Sequence, residues 1–393
     1  MIGVGSAGPT GGASDARRDG RMTERDAWIA LSVAPGIGPA GFARLLARHG
    51  SASAAWRAGP AAFRELERSG GQAVAAFEQW ERRDPRQVAR SLEHATERAG
   101  GRVVTGLDDA YPPALRTLDP RPPTLFVVGG SDVFERRAVA IVGTRGASGY
   151  GLSAATEIAD DLSRAGVVVV SGLALGIDGA AHRASVAVGA PGIAVLPSPI
   201  DRIYPPRHRT LARDLVRGGG ALVSEIATGA SVGRPDFARR NRIIAGLAEA
   251  VVVVEAPDRS GALLTAAAAI AIGRELYAVP GPIDAMASRG CNRLIADQQA
   301  TLVTSSASLL RQIGLARGER PPSVAALSEV EGQILRRLLE RSASIEELVD
   351  RIRQPAASVA SGLAMLEARG LVNPFGGATF HPTLVGKRLA KVI

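Results

Sequence analysis

A glycine-rich turn follows a fully apolar strand at Val139–Val142, and its letters are Gly143-Thr144-Arg145. Glycines at the end of a parallel strand let backbone N–H groups and the start of the next helix approach phosphate oxygens. The arginine adds a planar cation that suits phosphate. The turn therefore indicates a site for a phosphodiester, although an ordinary strand-to-helix turn would have the same letters.

A dinucleotide-binding enzyme would need Gly-x-Gly-x-x-Gly directly after this strand and a carboxylate about 20 residues further on. The run Gly149–Ala154 fits those letters but lies too far past the strand, and the second strand, Val167–Val170, ends in Ser-Gly. The sequence therefore argues against nicotinamide chemistry.

Polar groups also follow several other predicted strands. The carboxyl ends of parallel strands lie at one edge of a sheet, so these groups can converge on one crevice. Each could alternatively be a helix cap or a turn residue. The predicted DNA- or phosphate-binding residues are Gly143, Thr144, Arg145, Ser148, Tyr150, Ser171, Gly172, Arg207, Arg239, Arg240, Asn241, Arg242, Ser260, Gly261 and Thr265.

Four arginines and one aspartate crowd residues 234–242 at a predicted helix start, where the helix dipole disfavours cations. A bound anion would offset that cost. The structural alternative is pairing with Glu225 or Glu255, and we expect some of the arginines to pair in this way.

No catalytic set emerges from the sequence. Ser171, Asp178 and His182 have the residue types of a triad, but the Gly-x-Ser-x-Gly elbow is absent. We expect Asp178 to be a helix cap and His182 to be packed. Neither a phosphate-loop signature nor metal-ligand spacing occurs. The sequence predicts a protein that is not an enzyme and uses no cofactor and no metal.

The composition suits a basic intracellular protein of two or three domains. The chain has 393 residues and a net charge of +9, and all but two of its 47 basic residues are arginines. This balance favours an acidic partner such as nucleic acid, although a GC-rich genome would also enrich arginine. The single cysteine, Cys291, excludes a disulfide framework. No apolar run approaches the roughly 20 residues of a membrane span, so we expect a cytoplasmic location without membrane contact.

The pattern divides the chain into five segments. Residues 1–21 lack periodicity and are predicted to be a disordered tail, with Met22 as an alternative translation start. Residues 22–101 have helical spacing, and Pro35–Pro39 resembles a helix-hairpin-helix turn or an ordinary interhelical turn. Residues 102–313 alternate strand and helix, which predicts a doubly wound α/β domain. A linker at 314–327 precedes a carboxyl-terminal segment at 328–393.

That last segment predicts a winged helix. Capping boxes at Ser328 and Ser344 open two helices, a third helix follows near 356–368, and a hairpin follows at 371–380. The third helix, which usually reads a duplex groove, carries only one acid and one base near its end. Without net positive charge it is a poor groove reader, so we favour a protein contact or a regulatory role.

Several motifs together resemble those of the bacterial DNA-processing protein A family, also called Smf. They are Tyr111-Pro112 with Pro120 and Pro123, Ile141–Arg145 with Ser148 and Tyr150-Gly151, Ser171–Asp178, Arg240–Leu247, Ser260–Ala266, Ala278–Gly281 and Ser288–Asn292. The resemblance implies an extended Rossmann-like domain between an amino-terminal SAM or helix-hairpin-helix-like domain and a winged helix. It further implies a homodimer that binds single-stranded DNA, protects incoming strands in natural transformation and loads RecA recombinase. The family's phosphate-binding arginine corresponds to Arg145.

Two segments depart from the family pattern. After the third strand, Pro197 and Pro199 replace glycines, Pro206 replaces a basic residue and His208 replaces an asparagine. Either Arg207 or Arg209 could supply the missing basic group. The turn at 297–300 also lacks the usual glycine.

Two other functions remain as alternatives. A nucleotide phosphoribohydrolase of the same broad sheet class, the SLOG class, would carry Pro-Gly-Gly-x-Gly-Thr, which is absent here. A winged-helix regulator of duplex DNA would need a more basic third helix. Stacking aromatics would support single-strand binding, and Tyr150, Tyr204 and Phe237 lie near the motif loops, where packing is the other explanation.

Overall fold

The structure is a computed structural model, and it describes residues 22–60, 62, 80, 82–315, 327–369, 371–375 and 379–383. The predicted tail at 1–21 and nearly all of the predicted linker lie outside the described residues. The five predicted segment boundaries stay predictions. Within the described ranges, no helix combines the length and the apolar character that crossing a bilayer requires.

Short helices form the amino-terminal region and pack on the side of the sheet that follows. Thr23 caps the first helix through a capping box with Asp26. Trp28 contacts Phe42 edge to face at 4.8 Å between ring centroids, and its indole N–H donates to the Pro123 carbonyl. The helices are α1 (Glu24–Ser32), α2 (Pro39–His49), α3 (Ala52–Arg57) and α4 (Pro85–Arg98).

The strands described between residues 102 and 302 form one nine-stranded sheet. Its order is β1-β2-β6-β5-β4-β3-β7-β8-β9, and the strands from β6 to β9 in that order run parallel. The bounds are β1 (Arg102–Thr105), β2 (Thr124–Gly129), β3 (Ala138–Val142), β4 (Val168–Ser171), β5 (Gly192–Leu196), β6 (Ala221–Ser224), β7 (Ala250–Val253), β8 (Glu275–Ala278) and β9 (Thr301–Leu302).

The order of the sheet reverses at β3. The chain first adds β4, β5 and β6 on one side of β3, and then returns to place β7 on the other side. In open α/β sheets ligands bind beyond the carboxyl ends of the strands at such a switch point. The fold therefore directs attention to the loops after β3 and β7.

Helices cover both faces of the sheet, which explains why its central strands are apolar throughout. Val139 and Ile141 of β3 pack on one face, whereas Ala140 and Val142 pack on the other. The helices are α5 (Gly149–Arg164), α6 (Ile177–Ala187), α7 (Arg209–Arg217), α8 (Arg234–Leu247), α9 (Gly261–Ala271), α10 (Arg289–Ala296) and α11 (Ser306–Gln312).

The carboxyl-terminal region has the predicted winged-helix order. Both predicted capping boxes are present, since Ser328 pairs with Glu331 and Ser344 with Glu347. A small apolar core that includes Leu335 joins the helices. The elements are α12 (Glu329–Glu340), β10 (Ala343–Ser344), α13 (Ile345–Ile352), α14 (Ala356–Ala368), β11 (Val372–Phe375) and β12 (Thr379–Pro382).

The predicted fold class is thus confirmed. The apolar runs of the sequence predict six strands, at 139–142, 167–170, 193–196, 221–223, 251–255 and 276–279, and each has a counterpart whose ends agree within one or two residues. Strands β1, β2 and β9 were not among those expectations. Strand β2 pairs antiparallel with both β1 and β6 at one side of the sheet. The alternation of strands and helices in the sequence does not predict the antiparallel strands β1 and β2, because no crossover helix lies between them.

Candidate nucleic-acid interface

A crevice of about 500 Å³ opens at the switch point between the loops after β3 and β7. The first turns of α9 and one side of α8 form its other walls. Eight of the fifteen residues predicted for the site line this crevice: Gly143, Thr144, Arg145, Arg240, Asn241, Ser260, Gly261 and Thr265. The structure therefore brings together predicted groups from three separate stretches of the sequence.

Glu255, two residues after the end of β7, holds the loop after β3. Its buried carboxylate accepts hydrogen bonds from the Ser148 backbone N–H at 2.8 Å and from the Ser148 hydroxyl at 2.6 Å. The Glu255 carbonyl accepts from the Thr144 N–H at 2.7 Å. One residue of the loop after β7 thus fixes both ends of the turn that carries Arg145.

This arrangement changes the role expected for Ser148. Its hydroxyl also accepts from the Gly151 N–H as the cap of α5. The start of α5 therefore already has a carboxylate, and the Ser148 N–H and O–H are both committed inside the protein. The start of α9 is different, because its cap, Ser260, and its first turn line the crevice itself.

The loop after β4 is held by a second internal carboxylate. Asp178, in the first turn of α6, accepts from the Gly172 N–H at 3.0 Å and the Ala174 N–H at 3.4 Å. Burial raises the pKa of Asp178, while the nearby Arg240 opposes that shift. Gly176, at φ +74°, touches the turn after β3, where an added Cβ would lie 2.3 Å from the Thr144 carbonyl oxygen. The prediction that Asp178 caps the helix is wrong: Gly176 occupies the cap position, and Asp178, inside the first turn, instead anchors the preceding loop because its carboxylate faces the Gly172 and Ala174 N–H groups.

Arg240 lies beneath the crevice rather than on its rim. Only 8% of the residue is exposed, and its guanidinium donates to the Gly172 carbonyl at 2.7 Å and to the Val195 carbonyl. The guanidinium covers Gly172 so closely that any side chain there would collide with it. Burial lowers the pKa of Arg240 to about 10, so it remains a cation at neutral pH.

Two other arginines of α8 have acidic partners, as expected from the sequence. Arg242 pairs with Glu225 at 2.5 Å and donates to the Pro120 carbonyl at 2.8 Å. Burial raises the pKa of Glu225, and the Arg242 guanidinium acts against that rise. Arg239 is exposed and lies 3.4 Å from Asp236 of the same helix. Neither side chain lines the crevice.

Arg145 is the contrasting case. It is exposed, it lines the crevice, and no carboxylate of the described residues lies within salt-bridge distance of it. Its guanidinium carbon lies 5.3 Å from the ring centroid of Phe237, and Phe237 in turn meets Tyr204 edge to face at 5.5 Å. A cation and two aromatic rings thus form a row that begins in the crevice and ends at a half-exposed tyrosine.

Comparison with known proteins identifies the family. The model of the DNA recombination-mediator protein A family matches residues 102–314. The chain belongs to this family. A DprA-like amino-terminal HHH domain matches residues 22–58, and a DprA winged helix domain matches residues 318–378. The resemblance read from the motifs is thereby confirmed.

Among curated relatives, Protein Smf of Escherichia coli is 36% identical over 297 residues, covering 73% of this chain and 79% of the relative. The putative DNA processing protein DprA of Mycobacterium tuberculosis is 39% identical over 310 residues, covering 74% and 79%. The X-ray structure of DprA from Streptococcus pneumoniae is 30% identical with a TM-score of 0.63, covering 74% of this chain and 98% of that one. A Helicobacter pylori DprA structure, described by its single-stranded DNA binding mode, is 26% identical with a TM-score of 0.50, covering 55% and 97%.

The remaining predicted residues of this DprA-family chain do not line the crevice. The Ser171 hydroxyl is buried and donates to the Ile141 carbonyl. The Tyr150 hydroxyl donates to the Pro280 carbonyl outside the crevice. Arg207 is exposed on the short turn Pro206–His208. Gly172, Ser148, Arg239 and Arg242 complete this group.

Phe237 and Arg259 line the crevice but were not among the predicted site residues. The sequence signal for Phe237 was its place four residues before the Asn-Arg-Ile-Ile run, and the sequence marks it only as an aromatic near the motif loops. For Arg259 the signal was its position directly before the cap of α9.

The departures from the family pattern have local explanations in the structure. The ring nitrogen Nδ1 of His208 donates to the Leu173 carbonyl at 2.8 Å, so this histidine ties the loop after β4 to the turn before α7. Gln298 adopts φ +56° in the turn that lacks glycine, and the left-handed conformation is therefore kept without it. Pro197 and Pro199 do not line the crevice.

Proposed function

We propose that this DprA-family protein binds single-stranded DNA with little sequence preference and, in the cytoplasm, protects incoming strands and loads a RecA recombinase onto them. The observation that carries the proposal is Arg145. Its exposed guanidinium stands at the switch-point crevice opposite the start of α9, and no described carboxylate neutralises it.

A phosphate fits between these two groups. The arginine supplies a charge-assisted pair of hydrogen bonds, and the first turn of α9 supplies N–H groups at the positive end of a helix. Ser260 and Thr265 contribute hydroxyls to the same wall. Arg259, exposed beside the cap of α9, adds a second cation for the chain of phosphates.

The aromatic row favours a single strand over a duplex. When Arg145 holds a phosphate of the strand, the bases next to that phosphate lie near the ring of Phe237 and then near that of Tyr204. Stacking on such rings requires an unpaired base and tolerates every base type. A duplex hides its base faces, so it can use only the cations.

The rest of the proposal rests on the family. The H. pylori relative is described by its single-stranded DNA binding mode, which supports the same ligand here. We propose a RecA partner because the family's role in recombination mediation needs a recombinase to receive the strand. We propose a homodimer because the resemblance to the family implies one. The protein then acts by binding and transfer of the strand, without a chemical step of its own.

The direct test is a fluorescence-anisotropy titration with labelled oligo-dT and a matched duplex at several salt concentrations. Wild-type protein should prefer oligo-dT, and log affinity should fall with log salt by about 0.7 for each phosphate neutralised. Arg145→Ala should weaken oligo-dT binding about tenfold or more and lower that slope. The matched control is Arg311→Ala, which removes an exposed arginine of α11 that does not line the crevice.

Equal affinity of Arg145→Ala and wild type for oligo-dT would overturn the assignment of the site. Preference for duplex would overturn the proposed ligand. RecA loading has its own assay, in which RecA filament assembly on DNA coated by single-strand-binding protein is timed. Acceleration by wild type but not by Arg145→Ala is the expected result, and no acceleration by wild type would remove that part of the proposal.

A further inference from the structure

A second pocket lies on the sheet side covered by α7, and it shares no lining residue with the DNA crevice. Its volume is about 320 Å³, within the lower range of natural ligand pockets. Its walls are aliphatic and come from the end of α4, from β2 and β6, from the loop after β5 and from α7. They include Ala99, Val128, Ile200, Ile203, Val216 and Leu222.

Three arginines frame this pocket. Arg209, Arg213 and Arg217 are spaced four residues apart on α7, so they lie on successive turns along one side of the helix. All three are exposed, and no residue that lines the pocket is acidic. Only Arg217 has a carboxylate nearby, Asp214 at 3.6 Å, within the part of the chain that the structure describes.

The row is unfavourable for the helix by itself. Like charges four residues apart destabilise an isolated helix. Arg213 has a hydroxyl partner, Thr210, on its own helix at 3.3 Å. An acidic group brought by a partner would therefore remove repulsion as well as add attraction.

The structure assigns this pocket, bordered by Arg209, Arg213 and Arg217, to an acidic peptide segment of another protein that inserts one large apolar side chain. The aliphatic floor of the pocket would bury the apolar side chain of the peptide, and the row of arginines would pair with the carboxylates of the peptide. Two such features side by side are what an acidic, apolar-tipped segment would recognise.

A nucleic acid fits the pocket less well. Phosphates would use the arginines but would leave the aliphatic floor exposed to water. Bases would need aromatic rings on which to stack, and none of the lining residues is aromatic. The inference does not depend on the proposed function, since the crevice and this pocket have separate walls.

The test uses the full chain and a fluorescein-labelled peptide of five aspartates followed by leucine and phenylalanine. Two control peptides separate the contributions: one has serine in place of leucine and phenylalanine, and the other has serine in place of the aspartates. We expect the first peptide to bind at least about tenfold more tightly than either control, because each control lacks one of the two recognised features.

Variants locate the binding on the protein. Arg209→Glu with Arg213→Glu should weaken binding of the acidic apolar peptide by about tenfold or more. Val216→Asp should weaken it similarly by placing a carboxylate in the half-buried wall. The charge-matched control, Arg44→Glu with Arg311→Glu, should change it less than about twofold. Thermal unfolding of every variant identifies any loss that reflects misfolding.

Several outcomes would overturn the inference. Equal binding of the peptide that lacks apolar residues would reduce the site to general charge attraction. Equal loss in the control double variant would lead to the same conclusion. If Arg209→Glu with Arg213→Glu weakened oligo-dT as strongly as Arg145→Ala did while the peptide failed to bind, the row would be a nucleic-acid track. Oligo-dT binding that fails in wild type would instead affect only the proposed function.

Discussion

Arg145 and Arg240 both line the crevice, but they differ in their exposure to solvent and in the groups that surround their charge. Arg145 stands exposed at the mouth of the crevice, with an aromatic face on one side and no described carboxylate in reach. Arg240 lies beneath the same crevice, and two backbone carbonyls and the nearby carboxylate of Asp178 surround its charge. The two guanidinium groups are close enough for the charge of Arg145 to lower the pKa of Arg240.

The comparison teaches that the partner of a cation decides its role. A buried cation held by internal carbonyls and a nearby carboxylate is committed to the fold, because removing it would leave those groups without a partner. An exposed cation without an acid costs little in folding and keeps its donors for a phosphate. The crevice therefore needs both kinds, one to shape the floor and one to hold the ligand.

The largest expected effect comes from removing the buried member. Arg240→Met should lower the free energy of unfolding by about 3 kcal/mol or more, because it leaves two carbonyls and Asp178 without their cation. Arg145→Met should change it by less than about 0.5 kcal/mol. Urea denaturation followed by circular dichroism measures both. Similar losses in the two variants would erase the distinction on which the comparison depends.

The next effect tests whether the buried region rejects a further positive charge. Burial lowers the pKa of His182 to about 3 from an ordinary value near 6.5, and Arg240 and Arg183 add to that shift. Between these values the unfolded chain binds a proton that the folded chain refuses, so stability falls as pH falls. The expected loss is about 1.4 kcal/mol per pH unit, or about 2 kcal/mol between pH 6.5 and 5.

The measurement for His182 is a difference between two proteins. Asp178 and Glu225 have raised pKa values and act in the opposite direction, since their folded forms hold protons more readily. Denaturation curves at several pH values should therefore be compared for wild type and His182→Leu. The leucine variant should lack this acid-induced loss, and parallel curves for the two proteins would show that His182 accepts protons when folded.

A smaller effect sharpens the exposed side of the comparison. Phe237→Ala should weaken oligo-dT binding by about 1–3 kcal/mol, which is the usual contribution of one stacked base. Phe237→Trp keeps a ring at that place and should restore most of the affinity. An unchanged affinity of Phe237→Ala would mean that the ring serves only to orient Arg145 and Tyr204.

The smallest effect concerns an arginine between the two extremes. Arg239 is exposed but has Asp236 on its own helix, and it does not line the crevice. Arg239→Ala should lower oligo-dT affinity less than about threefold and stability by less than about 0.5 kcal/mol. The same titration and denaturation curves measure both quantities. A tenfold loss of affinity would instead place the DNA path along α8.

Much of the fold could be predicted because its signals are local. Runs of three to five mostly apolar residues marked the strands of the central sheet, and serine with a glutamate three residues later marked two helix starts. The turn Gly143-Thr144-Arg145 could be placed at a strand end for the same reason. Charge alone offered Glu225 or Glu255 as the partner of an α8 arginine; Glu225 pairs with Arg242, whereas the Glu255 carboxylate accepts from Ser148 instead.

The roles of single residues could not be predicted in the same way. Ser148 looked available for a phosphate, but Glu255 lies 107 positions away in the chain and satisfies both its N–H and its hydroxyl. In the sequence, nothing distinguishes Arg240 from its neighbour Arg239. Only the fold places the carbonyl of Gly172, 68 positions earlier, against the Arg240 guanidinium. Contacts between residues so far apart in the chain produce no periodic pattern in the sequence, so they cannot be predicted from it.

The sequence by itself determined the layered α/β architecture and the edge of the sheet where polar groups gather, because strand and helix patterns depend on neighbours a few positions apart. Only the tertiary structure decided which of those groups face the crevice. The reason is that burial and charge pairing depend on distances through space, and packing α8 against the sheet buried Arg240 while the turn after β3 left Arg145 in contact with solvent.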